Sequence, residues 1–210
     1  MPGDQGDYSL EIIPPGARAW QNAAMSDGTS RRPPDAASLR EAALHYLVRY
    51  ATTEAGLRRV LNRRIDRWVR LAGEEDNEAV LHAARAAIPG VVSRMVALGL
   101  LDDTAYANTR AQGLALNGRS RRAIAGRLVA KGIAPEQARA ALPAEEGSEL
   151  VSALILARKR RIGPFRRGAQ NLSRELGVMA RAGFPRSLAL EALGMDPEQA
   201  ENAIRLFQGP

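Results

Sequence analysis

The chain has 210 residues and no cysteine, and its 30 lysines and arginines outnumber 23 aspartates and glutamates to leave a formal charge of +7. Lack of cysteine excludes disulfides and thiolate metal sites, no apolar run reaches membrane-spanning length, and no secretory signal is visible, so a cytoplasmic protein without a membrane partner is expected. The basic excess is mostly arginine, whose planar fork suits phosphate and carboxylate partners, and the low aromatic content with abundant Ala and Leu favours helix over strand.

Residues 1–36 carry Pro14-Pro15 and Pro33-Pro34 with scattered glycines and show no helical or strand period. They read as a disordered tail. From Ser38 the chain is helical almost throughout. The first module is expected to hold helices over residues 39–50, 54–71 and 77–98, with a loop around Gly73-Glu74-Glu75-Asp76. On a helical wheel Leu57, Leu61, Ile65 and Trp68 fall on one side, and Arg59, Arg63, Arg67 and Arg70 gather on the other, the cleanest basic face in the chain.

The next helix opens at Asp102 and Asp103, whose carboxylates can accept the free N–H groups of a first turn. Leu100 and Leu101 ahead of them form an apolar staple. Between Thr104 and Pro135 no acidic residue occurs, while Arg110, Arg119, Arg121, Arg122, Arg127 and Lys131 all fall in that interval. Like charges so concentrated cost stability, which an external anion would relieve. Ile124 and Leu128 mark the buried stripe of this helix. Arg122 points away from it, and Arg121, Arg127 and Lys131 flank it, where their stems can lie over the core edge. Lys131-Gly132 stops the helix, and Pro135 suits the first position of the one that follows.

A repeat emerges when helix stops are compared. Residues 125–142 align without gaps on residues 176–193, setting Leu128 over Met179, Gly132 over Gly183, Ile133 over Phe184 and Ala138 over Ala189. In the first copy Leu57 and Leu61 take the places of Ile124 and Leu128, but the Lys-Gly stop is missing, because Arg64-Ile65-Asp66 runs straight on. The expected fold is therefore all-α: three tandem three-helix modules, at residues 37–100, 101–146 and 147–206, in an elongated, curved array behind the tail. A third basic cluster, Arg158-Lys159-Arg160-Arg161 with Arg166-Arg167, straddles Gly163-Pro164 and exceeds what a helix end needs for its dipole.

Nothing points to catalysis. His45 and His82 sit in ordinary helical patterns with no metal-ligand or nucleophile spacing, and no Gly-Lys-Ser/Thr phosphate loop occurs. Asp102-Asp103 is explained by capping and the 74–76 acidic run by solvation. No catalytic residue, metal or cofactor is expected.

Three short motifs in fixed order carry more. They are Val96-Ala97-Leu98-Gly99-Leu100, then Leu101-Asp102-Asp103-x-x-Tyr106-Ala107, then Gly118-Arg119-Ser120-x-x-x-Ile124-x-x-x-Leu128-x-x-Lys131-Gly132-Ile133. Together they resemble the core of the RecX family, bacterial regulators of the RecA recombinase. The likeness is densest over residues 99–142 and looser over 38–205. It implies tandem three-helix repeats, binding as a monomer along the RecA filament, and restraint of strand exchange and ATP hydrolysis in recombination, DNA repair and the SOS response. The residues expected to meet RecA and its single- or double-stranded DNA, without sequence preference, are Arg119, Arg121, Arg122, Arg127 and Lys131, then Arg59, Arg63, Arg67 and Arg70, then Arg158, Lys159, Arg160, Arg161, Arg166 and Arg167. Leu101, Asp102, Asp103, Tyr106, Gly132 and Gly183 are expected to be structural. The alternatives are a DNA-binding protein acting without RecA, either through phosphates alone or with residues 119–131 as the recognition helix of a helix-turn-helix, and a protein-interaction scaffold.

Overall fold

The computed structural model describes residues 33–72 and 78–208, all of whose regular structure is helical. The expected tail falls mostly outside these residues, as does the 73–76 loop. The first unit comprises α1 (Ala36–Leu47), α2 (Glu54–Ala72) and α3 (Glu78–Ala97); the second α4 (Asp103–Ala115), α5 (Arg121–Ala130) and α6 (Pro135–Ala140). The third comprises α7 (Ser148–Arg160), a 3-10 turn (Gly163–Phe165), α8 (Leu172–Arg181) and α9 (Arg186–Gly194), and adds a fourth helix, α10 (Pro197–Gln208).

Four helix starts have a side-chain cap as their local cause. Asp35 caps α1, accepting from the Ser38 N–H at 2.8 Å while the Ser38 hydroxyl accepts from the Asp35 N–H at 3.0 Å. This reciprocal box starts α1 three residues before the expected position and holds the Asp35 carboxyl below its ordinary pKa. Asp102, Ser120 and Asn171 cap α4, α5 and α8 one way, each side chain accepting from an N–H of the first turn. The α5 and α8 ends are alike: Gly132 (φ +97°) and Gly183 (φ +88°) turn left-handed. The next residue then bonds back across the last turn, Ile133 to Leu128 and Phe184 to Met179, both at 3.1 Å.

Three separate cores follow. Leu57, Leu61 and Ile65 of α2 are fully buried against Leu39 of α1 and Val92 and Met95 of α3. Full burial of such side chains contributes about 1.5–3 kcal/mol each. Leu101, expected at the head of the second module, is buried in this first core. Ile124, Leu128 and Ile133 close over Ala107 and Ala111 in the second core. Met179 and Phe184 occupy the matching places in the third, where Ala200 and Ile204 of α10 cover α7. At the position matching Leu57 and Ile124 the third unit has Glu175, also buried. Its carboxylate accepts from the Gly163 N–H at 3.3 Å and pairs with Arg166 at 3.1 Å, tying the 3-10 turn to α8.

One joint is used twice between units. The Thr53 hydroxyl, just ahead of α2, donates to the Lys131 carbonyl at the end of α5 at 2.7 Å, and the Glu54 N–H donates to Asp103 in the first turn of α4 at 2.8 Å. One unit further on, the Ser120 hydroxyl donates to the Ala182 carbonyl at the end of α8 at 2.8 Å, and the Arg121 N–H donates to Glu149 in the first turn of α7 at 3.2 Å. Both hydroxyls are buried, so each joint satisfies polar groups that water no longer reaches. Gly132 lies against Ala55, and a Cβ on Gly183 would stand 2.7 Å from the Ser120 Oγ, so neither joint has room for a side chain there.

Candidate polyanion-binding face

The structure divides the arginines expected at the site into those already engaged and those left open. Arg59 donates to the Lys131 carbonyl at 3.1 Å, so it reinforces the first joint. Arg121 is half-buried and donates to the Pro143 carbonyl at 2.8 Å. Arg158 pairs with Glu201 at 3.0 Å, Lys159 donates to the Asn117 carbonyl at 3.0 Å, and Arg166 holds Glu175. Arg67 is half-buried. Arg63, Arg70, Arg119, Arg122, Arg127, Lys131, Arg160, Arg161 and Arg167 are exposed, and no hydrogen bond or ion pair of their side chains occurs among the described residues.

In the second unit two of these charges, Arg119 and Arg127, are brought together with a third, Arg110. Arg110 lies on α4, one turn before Leu114; the Arg119 N–H bonds to the Leu114 carbonyl at 3.1 Å; Arg127 lies on α5, which packs on α4. Partial desolvation, then the nearby guanidiniums of Arg119 and Arg110, push the Arg127 guanidinium below its ordinary pKa. An anion seated among the three would replace repulsion by attraction. Arg110 was absent from the expected site. Its signal was its place in the acid-free interval, four residues before a buried leucine on the helix that packs against α5.

The motif residues have structural work. Asp102 accepts from the Thr104 and Ala105 N–H groups at 2.8 and 2.9 Å, and Asp103 serves the first joint. Tyr106 packs on the second core. Among the described residues no group of three or more histidine, aspartate and glutamate side chains could hold a metal, and no helix is long and apolar enough to cross a membrane.

A family model described as RecX, second three-helix domain, matches residues 102–142, which span α4, α5 and α6. The chain is 42% identical over 165 residues to the Regulatory protein RecX of Myxococcus xanthus strain DK1622, a match covering 76% of this chain and 86% of the relative. The chain belongs to the RecX family. A second RecX, the Regulatory protein RecX of Agrobacterium fabrum strain C58, is 33% identical over 168 residues, covering 79% of this chain and 86% of the relative. Both RecX relatives are named regulatory proteins. No solved structure matches the chain.

Proposed function

We propose that this RecX-family protein is a cytoplasmic, non-enzymatic regulator that binds the nucleoprotein filament of a RecA-type recombinase and restrains strand exchange and ATP hydrolysis. The observation that carries the reading is the convergence of Arg110, Arg119 and Arg127, three uncompensated guanidiniums on the unit that matches the family model. A filament presents acidic protein surfaces and DNA phosphates at regular intervals, and a chain of units with modules at residues 37–100, 101–146 and 147–206 meets such a partner at several points. Contact at each unit adds through effective concentration even where each is weak. Lodged there, the protein hinders subunit addition and access of duplex DNA. Arg119, Arg122 and Arg127 lead in this reading, with Arg110 added to them.

The test is the triple variant Arg119→Glu, Arg122→Glu, Arg127→Glu. It is expected to lose inhibition of RecA strand exchange while its helical circular dichroism is unchanged, because none of the three side chains has a partner to lose. Full inhibition by the folded variant overturns the assignment.

A further inference from the structure

The end of α7 departs from a rule the rest of the molecule keeps. Four other helices, α3, α4, α5 and α8, close by the same pair of backbone bonds, and each places glycine at the left-handed residue: Gly99, Gly118, Gly132 and Gly183. At α7 the bonds are the same, Arg161 to Arg158 at 3.3 Å and Ile162 to Ala157 at 3.1 Å, but the left-handed residue is Arg161, with φ +55°. It alone among the non-glycine described residues has positive φ. A side chain there crowds its own carbonyl, and such strain persists where the surroundings enforce it or the side chain is needed. The fold does not use this side chain: it is exposed and makes no hydrogen bond or ion pair among the described residues.

Its neighbours show what the position offers. Of the six cations from Arg158 to Arg167, three are fixed by the fold: Arg158 on Glu201, Lys159 on Asn117 and Arg166 on the buried Glu175. The other three, Arg160, Arg161 and Arg167, are exposed beside those ties, with no hydrogen bond or ion pair of their side chains among the described residues. The carboxylates that pair within this cluster, Glu201 and Glu175, are already taken. Three guanidiniums on one short stretch, with no free carboxylate among them, match closely spaced phosphates.

We propose that Arg160, Arg161 and Arg167 form a phosphodiester-binding site of the third unit, and that Arg161 is kept at a strained position for the contact it makes. The inference deepens the polyanion-binding part of the function proposed above and names DNA backbone as its ligand.

The experiment uses the full chain and a fluorescent single-stranded oligonucleotide, with binding followed by anisotropy across salt concentrations and unfolding followed by heat. Arg161→Gly is expected to melt at a higher temperature than the parent, because strain is removed, and to bind several-fold more weakly. Its slope of log affinity against log salt should fall by about one. Arg161→Lys keeps charge and strain and is expected to retain most of the affinity. A more stable Arg161→Gly that binds the oligonucleotide as the parent does, or a parent that does not bind it at all, overturns the site. Loss of recombinase binding without loss of DNA binding also overturns it, in favour of an acidic protein surface. RecA inhibition measured on the same variants separates the two ideas, since inhibition that persists without DNA binding leaves the filament reading standing and removes this one.

Discussion

Adjacent arginines in this chain have opposite duties. Arg121 donates to Pro143 across the second unit, whereas Arg122, next to it, faces solvent with no partner among the described residues. Arg121→Ala is therefore expected to lower stability by about 1 kcal/mol, and Arg122→Ala to change it by less than about 0.5 kcal/mol. Urea titration of the two variants checks this. Inhibition of RecA should show the reverse order. Glu175 makes a sharper case, because its side chain is 6% exposed and serves both Arg166 and the Gly163 N–H. Replacing it by alanine strands Arg166 and frees the 3-10 turn, at a cost on the order of 3 kcal/mol, readable in the same titration. The apolar stripe Leu57, Leu61, Ile65 was legible from sequence because burial has the helix period. Which arginines are engaged was not, because the groups that engage them, Lys131 and Pro143 carbonyls and Glu201, lie from 22 to 72 residues away.

At the scale of elements, the glycine stops proved to have two roles. The repeat aligned Gly132 with Gly183 as helix ends, and the structure shows each also to be the contact surface of an inter-unit joint. The sequence held the hydroxyl partners too, since Thr53 and Ser120 occupy matching capping positions. Their second hydrogen bond is invisible without the neighbouring unit. Gly132→Ala is expected to cost at least about 1 kcal/mol for its left-handed backbone, with an added penalty from the clash with Ala55. Ala55→Gly in the same chain should recover the clash part and leave the backbone part, so the double variant should be more stable than the sum of the singles predicts. Additive losses in thermal unfolding would contradict a contact between these two residues. The missing glycine stop of α2 was legible and has a counterpart in the fold, for α2 runs on to Ala72.

At the scale of the whole molecule, three cores adjoin through one recurring joint, and the proposed function rests on repeated, individually weak anion contacts from the units built on them. All-helical architecture, the three units and the family were legible from residues 38–206, because helix caps, stops and apolar period are local signals. The fourth helix of the last unit was not separated from it, since Asp196-Pro197 restarts a helix after a very short break. Where charge of this kind drives binding, affinity for the filament should fall as salt rises. The measurement that goes most directly to the central claim is a titration of this protein into RecA hydrolysing ATP on single-stranded DNA, beside its binding to the same DNA without RecA, at one salt concentration. The account predicts half-inhibition at a protein concentration well below that which half-covers the naked DNA. Inhibition that appears only once naked DNA would be covered, or no inhibition at all, contradicts it.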